Sequence, residues 1–267
     1  MLRISCQLLR EIQVVDNSLS FIHRMDPLEL YKKIYDKQKI RESKGNILQR
    51  EVIIKWISDK LGTYYLINKL DVSNQKNIFF STITIFDNYI NRSNDTINHL
   101  LAVTCLFLSL KMETMEATFH IDFFVHSIVG FMKNLSFRDI ISEIIKTEKK
   151  ILFTLKFEIH NVAEVNNFIN LLFELNDEKN EKLKKTTWYI IELSLYTLPK
   201  IKPSLLAISA YILSQLKLGI EYNSKIMEKS LHNFSDVRKS VVLLNKMVLM
   251  DNKVYKDYSE IPIKKIF

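Results

Sequence analysis

Two stretches decide the fold: "LLAVTCLFLSL", Leu100–Leu110, and "LLAISAYILSQ", Leu205–Gln215. In register, both run Leu, Leu, Ala, a β-branched apolar residue, a small hydroxyl residue and a small residue, and Leu-Ser recurs further on. The offset is 105 residues, about one domain length, so the chain reads as two copies of one helical unit. Each stretch is apolar around nearly the whole helix, which puts it inside a bundle rather than on its surface. Ala102, Cys105 and Ser109 in the first, and Ala207, Ala210 and Ser214 in the second, recur at helical spacing. They share a face that lets a neighbouring helix approach closely. The expected architecture is all-α: tandem five-helix bundles, each built around one central helix.

Working outward, the spacing of apolar residues predicts helices over 47–62, 73–91, 97–112, 120–132 and 136–154 in the first unit. In the second unit it predicts 162–176, 180–198, 203–218, 223–233 and 236–251. Asp71-Val-Ser73 and Ser136 supply caps for two of these starts, and Pro203 stands at a natural first turn. Ahead of the first unit, "DPLELYKKIYDKQKI" is amphipathic, with Leu28, Leu30, Tyr31 and Ile34 as the expected contacts of an additional helix. "RESKGN" then reads as a loop. The expected divisions are an N-terminal segment 1–46, a first unit 47–158, a second unit 159–252 and a tail 253–267.

Composition narrows the function classes. Four glycines and four prolines in 267 residues are too few for a turn-rich β fold, and the glycines are scattered singly, so no glycine-rich phosphate loop is available. The formal charge is +8, but the lysines are spread along the chain rather than clustered with aromatic residues. They read as solvated helix faces, and the same charge suits an acidic protein partner. Cys6 and Cys105 alone make neither a disulfide framework nor a zinc site, which fits a reducing, intracellular setting. No apolar run reaches the length of about 20 residues that spans a membrane. The N-terminal "MLRISCQLLREIQVV" is interrupted by Arg10 and Glu11 and lacks the pattern of a signal peptide. The six histidines are dispersed, without a metal-ligand spacing or a nucleophile elbow. His120, Asp122 and His126 lie near one another but do not align on one helix face, and they read as polar surface. No catalytic residue, metal or cofactor is expected.

Two charged residues interrupt apolar helices, and two more, at helix ends or faces, raise a different question. Arg50 interrupts "ILQREVIIKWI", where Val52, Ile53, Trp56 and Ile57 form the apolar side, and Asp87 interrupts "FFSTITIFDNYI". Each alone reads as a surface charge; together they suit a buried pair joining the first two helices of the unit. Lys111 ends the first central helix, where the second copy has Leu216, and Glu148 sits in "KTEKKIL". A lysine at a helix C-terminus is stabilised by the helix dipole by under about 1 kcal/mol, so a solvated role and a partner contact both remain open for this pair.

In these residues the chain resembles a cyclin, over nearly everything from Asp26 onward. "QREVIIKWISDKL" looks like the first helix of the cyclin box, whose usual core is Met-Arg-Ala-Ile-Leu-x-Asp-Trp. "IFDNYINR" is similar to the end of its second helix and "HLLAVTCLFLSLKMET" to its third. "KTEKKILFTLKFEIHNVAEVNNFI" resembles the fifth helix and the crossing into a second box, whose central helix is matched by "KPSLLAISAYIL". The hallmarks of the box have counterparts, in order, at Arg50, Asp87, Leu100, Lys111 and Glu148.

The resemblance implies a non-catalytic regulatory subunit that binds and activates a cyclin-dependent serine/threonine protein kinase as a heterodimer, in cell-cycle control. It assigns Lys111 and Glu148 to the kinase contact and Arg50 and Asp87 to the buried pair. It also assigns Gln49, Val52, Ile53, Trp56 and Asp59 to a groove that docks short basic-apolar substrate motifs. That groove is weakened by Gln49 in place of the usual methionine and Lys55 in place of the acid before tryptophan. The pre-box helix and the tail "VYKDYSEIPIKKIF" lean toward the mitotic A/B-type group. Residence in the nucleus, the cytoplasm or both follows from the family, with no membrane and no nucleic acid expected as partner. The alternative is a cyclin-fold transcription-factor core or a transcriptional-kinase cyclin; the charge of +8 favours it, while the absence of a paired-cysteine zinc ribbon and the presence of Lys111 with Glu148 count against it.

Overall fold

The computed structural model describes residues 26–36, 47–68, 75–113, 121–159, 164–197, 201–221 and 225–250. The Asp71–Ser73 cap, His120, the 41–46 loop and the tail from residue 253 lie outside the described residues. Among the described residues every regular element is helical. A short α1 (Pro27–Tyr35) precedes α2 (Ile47–Asn68), α3 (Gln75–Arg92), α4 (His99–Glu113), α5 (Ile121–Ile128) and α6 (Phe137–Thr154). The second unit holds α7 (Val165–Leu175), α8 (Glu181–Thr197), α9 (Pro203–Lys217), α10 (Lys225–Lys229) and α11 (Phe234–Met250).

The two matching stretches are the centres of the two units. α4 packs against α2, α3, α5 and α6, and α9 against α7, α8 and α11. Ala102, Cys105, Ser109, Ala207, Ala210 and Ser214 are all fully buried, as a close helix approach requires. This is the tandem helical bundle that the repeat predicts. Three helices differ from expectation, one of them α10, which ends at Lys229 where 233 is expected. α2 runs through Gly62 to Asn68, because Tyr64 and Tyr65 in the next turn are buried and hold it in helical register. The fourth helix stops at Ile128 and gives way to a 3-10 turn, Val129–Phe131.

The ends of the helices show why the breaks fall where they do. Ser136 accepts from the Asp139 amide while the Asp139 carboxylate accepts from Ser136, a reciprocal cap on α6. Asn233 and Asp236 make the corresponding pair on α11, at 2.8 and 2.7 Å. At the end of α9, Gly219 adopts φ +64° and lets the Ile220 amide reach back to the Gln215 carbonyl at 2.9 Å.

The units are held together by specific contacts. Arg50 of α2 donates to the Leu195 carbonyl of α8 at 2.5 Å, and Asn166 of α7 donates to Asn77 of α3 at 3.3 Å. Trp188 packs on Phe80 and lies under Lys76, whose ammonium is 4.8 Å from the ring centre. α1 is pinned to the second unit: Tyr31 and Ile34 are buried, and the Tyr31 and Tyr35 hydroxyls donate to the Ser230 and Leu231 carbonyls at 3.2 Å each.

His232 sits at this junction, 2.8 Å from Ser204 Oγ and 5.3 Å from the Tyr35 ring. Burial pushes its pKa down to about 4, with Lys202 adding to the fall and Asp236 opposing it. Burial lowers His99 as well. Between an unfolded histidine's value of about 6.5 and the folded value, the unfolded chain takes up a proton that the folded chain refuses. Stability therefore falls as pH drops through that window. Calorimetry is expected to show a lower melting temperature at pH 5 than at pH 7, with a smaller drop for His232→Gln; equal drops would show that His232 contributes nothing.

Candidate functional site

α2 enters the bundle with Arg50, Ile53, Ile54, Ile57 and Leu61 on its inner face, all buried. A guanidinium on that face must find partners or strand its charge. It finds three: Arg50 Nε and Nη2 donate to Asp87 Oδ1 and Oδ2 at 2.7 and 2.8 Å, and Nη1 donates to the Leu195 carbonyl. Arg50 and Asp87 are 0% and 1% exposed, a bidentate ion pair between α2 and α3 that also reaches the second unit.

The other two charges meet as well. Lys111, in the last turn of α4, lies with Nζ 2.6 Å from Glu148 Oε1 on α6. Its ammonium also stands 4.4 Å from the centre of the Phe107 ring. Unlike the inner pair, this one reaches solvent: the side chains are 30% and 14% exposed. An ammonium has three donors and a carboxylate two acceptor oxygens, so the shared bond leaves the pair capacity for a partner's backbone.

The stripe of α6 that carries Glu148 is otherwise apolar. On α6, Phe137, Ile141, Ile145, Glu148 and Leu152 follow at i, i+4, i+8, i+11 and i+15, a single stripe along the helix. Phe137 and Ile145 are exposed, and Ile141 and Leu152 half-buried. Phe153 is 70% exposed and meets Phe157 edge-on at 5.6 Å, just past the helix end. The backbone there is strained: Lys156 and Phe157 take φ of 52° and 61°, a conformation that costs non-glycine residues about 1–3 kcal/mol each. The strained turn closes on the Leu152 carbonyl, which accepts from the Phe157 amide at 2.9 Å. Sequence reasoning did not single out Phe153 and Phe157. The only signal is an aromatic pair four residues apart at the end of an amphipathic helix, and that spacing equally suits a core.

The residues assigned to a docking groove separate. Gln49, Val52, Trp56 and Asp59 lie at helical spacing on the outer side of α2, with Val52 60% exposed. Ile53 does not join them; it is 3% exposed and belongs to the core, because the inward direction of Arg50 carries the residue three positions on inward too. Val52 in turn leaves the apolar inner side expected of it, and Ile54 takes its place. Trp56 is half-buried against two residues the sequence did not point to, His99 at 5.0 Å and Phe131 at 6.5 Å, which stack on each other at 3.6 Å. Asp122 and His126 are on α5, where His126 Nδ1 lies 2.6 Å from the Asp122 carbonyl oxygen. Among the described residues, no three His, Cys, Asp or Glu side chains are grouped to hold a metal, and no helix is long and apolar enough to cross a membrane.

A tandem helical bundle with an inner arginine–aspartate pair and an outer lysine–glutamate pair on its first unit defines the class. The family profile described as "Cyclin, N-terminal domain" matches residues 22–160, and "Cyclin, C-terminal domain" matches residues 164–266. The chain belongs to the cyclin family, whose domains are regulatory rather than catalytic. It is similar to Cyclin-B2-2 of Oryza sativa subsp. indica, 25% identical over 212 residues, which cover 78% of this chain and 46% of that one. The chain thus matches less than half the length of that relative. Its fold is similar to the solved structure of a viral cyclin from herpesvirus saimiri, with a TM-score of 0.61 and 15% identity over 84% of this chain and 96% of that one.

Proposed function

We propose that this chain is the regulatory subunit of a cyclin-dependent serine/threonine protein kinase, that it binds through the Lys111–Glu148 face of the first unit, and that it acts in cell-cycle control. The observation that carries the reading is the pair itself: a lysine and a glutamate 2.6 Å apart, both reaching solvent, with the glutamate on an otherwise apolar stripe of α6. Interfaces combine such an apolar centre with few, well-placed polar groups. Lys111 stands at the tip of α4 because the tip is the contact. The Arg50–Asp87 pair holds α2 and α3 beneath that surface. The first unit, 47–158, is the kinase-binding box in this reading.

Phosphoryl transfer by a kinase needs its strand lysine paired with the glutamate of its regulatory helix, and an ordered activation loop. A subunit that binds only the state with that helix swung inward shifts the population toward it. Moving a 1:99 equilibrium to 99:1 takes about 5.5 kcal/mol of differential affinity, within reach of an ordinary protein interface. No step of the chemistry falls on this chain.

The lean toward the mitotic A/B-type group is supported by the similarity to Cyclin-B2-2, and residence in nucleus or cytoplasm is proposed with it. Short basic-apolar substrate segments dock on the outer side of α2, at Val52 and Trp56, with Asp59 for the basic residue. The Phe153 pair offers the first test. Phe153→Ser with Phe157→Ser is expected to cost folding only about 1 kcal/mol, the worth of the lost ring contact, since both side chains are largely exposed. Kinase binding, followed by calorimetric titration, is expected to weaken by about 2 kcal/mol or more. Unchanged affinity would remove these aromatics from the interface.

A further inference from the structure

The two units repeat a surface as well as a core. α11 aligns with α6 at an offset of 97 residues: Phe137 with Phe234, Asp139 with Asp236, Ile144 with Val241 and Ile151 with Val248. Burial follows the alignment, since Val237, Val241 and Val248 are buried like Ile140, Ile144 and Ile151. The outer stripe of α6 therefore has a counterpart on α11, in Phe234, Arg238, Val242, Asn245 and Leu249 at the same i, i+4, i+8, i+11 and i+15 spacing. Phe234, Val242 and Leu249 are exposed, and Leu243 beside them is 42% exposed.

The charges of the first unit are gone. Asn245 stands at the place of Glu148 and Leu216, 5% exposed, at the place of Lys111. The Asn245 Oδ1 is shielded from solvent and, among the described residues, has no hydrogen-bond partner, an unusual state for a carboxamide. Arg238 lies in the stripe itself, exposed Lys239 and Lys246 fall between Val242 and Leu243 around the helix, and after Asp236 in the first turn no acidic residue occurs up to Leu249. A face built like a contact surface but stripped of the lysine–glutamate pair does not suit the partner of the first unit. Beyond the first turn its charge is of one sign, and it complements acidic groups set among apolar ones.

We propose that the outer face of α11 is a second docking surface, which takes an acidic amphipathic helix from a partner protein. Apolar residues of that helix at i, i+3 or i+4, and i+7 would pack on Val242, Leu243 and Leu249, with its glutamates or aspartates beside Arg238, Lys239 and Lys246. The likeness to a contact surface rests on the proposed kinase contact of α6; the basic and apolar side chains of α11 carry the inference whether or not Lys111 and Glu148 contact a kinase.

The probe is a fluorescent synthetic helix with one leucine face and glutamate flanks, against a control with the same leucines and lysine flanks. Anisotropy titration with the full chain is expected to show the acidic helix bound at least tenfold more tightly than the basic one. Val242→Asp with Leu249→Asp, and separately Lys239→Glu with Lys246→Glu, are expected to weaken that binding tenfold or more. The combined exchange Lys111→Glu with Glu148→Lys is expected to leave it unchanged. The inference is overturned by equal binding of the two helices, by no binding, or by indifference to both α11 variants. Loss of binding on the Lys111/Glu148 exchange would move the site to the first unit. A chain that sediments as a dimer, and as a monomer once Val242→Asp is introduced, would give the face to a second copy instead.

Discussion

Exchanging Lys111→Glu and Glu148→Lys in one chain is expected to leave the fold intact and abolish kinase binding. The two side chains bond each other at 2.6 Å, so a single reversal places like charges in contact and confounds folding with binding. The double exchange keeps an ion pair in place while inverting the charge that each position offers a partner. The pair is partly solvent-screened, and its contribution to stability belongs to the modest range of surface pairs, about 1 kcal/mol or less. The melting temperature should therefore move by only a few degrees. As anchors at the centre of an interface, each residue is expected to cost about 2 kcal/mol or more of binding, roughly thirtyfold in affinity. Titration of the exchanged chain against the kinase, beside a melting curve, separates the two effects. Wild-type affinity would show that the pair faces solvent and nothing else.

Arg50→Ala has the opposite signature: the fold weakens while Lys111 and Glu148 keep their identity. Removing the guanidinium leaves the Asp87 carboxylate 1% exposed with its bidentate partner gone, and deprives the Leu195 carbonyl of its donor. Breaking a buried pair from one side costs about 3–5 kcal/mol. For a chain of this size that is roughly 10 °C of melting temperature. Because Arg50 also ties α2 to α8, the two units are expected to loosen together. The paired replacement Arg50→Met with Asp87→Leu removes both charges and should recover most of the loss. If Arg50→Ala alone melted like the wild type, the network would have no energetic role.

How far the sequence could carry these conclusions varied with the kind of interaction. The central helices were legible because burial on all sides leaves a continuous apolar run, and because small residues at helical spacing recur in α4 and α9. The Arg50–Asp87 pairing was approachable for a related reason, since a charge in an apolar helix demands an explanation; Glu148, in the charged run "KTEKKIL", was joined to Lys111 only through the cyclin resemblance. The Leu195 carbonyl was out of reach, since it is a backbone group 145 residues from Arg50 and no side chain advertises it.

Helical phase explains the misplacement around Ile53. Val52 and Ile53 are adjacent β-branched residues, and only the inward direction of Arg50 decides which of them faces the core. Phe153 and Phe157 escaped notice because exposure is a property of what packs nearby, and because their presentation depends on positive φ at Lys156 and Phe157, which neither residue type announces. The correspondence of α6 with α11 was hidden too. Their shared residues are mostly apolar and interchangeable, and the matching pattern of exposure emerges only in three dimensions.

The central claim is that this chain switches on a kinase through its first unit. The most direct measurement purifies a cyclin-dependent kinase subunit without its activator and follows phosphate transfer to a peptide substrate as the chain is added. Activity is expected to rise steeply and saturate at one chain per kinase, and to stay at its basal level when the chain carries Lys111→Glu with Glu148→Lys. Equal activation by the wild-type and exchanged chains would contradict the site. No activation of any kinase that co-purifies with the chain from cells would contradict the function.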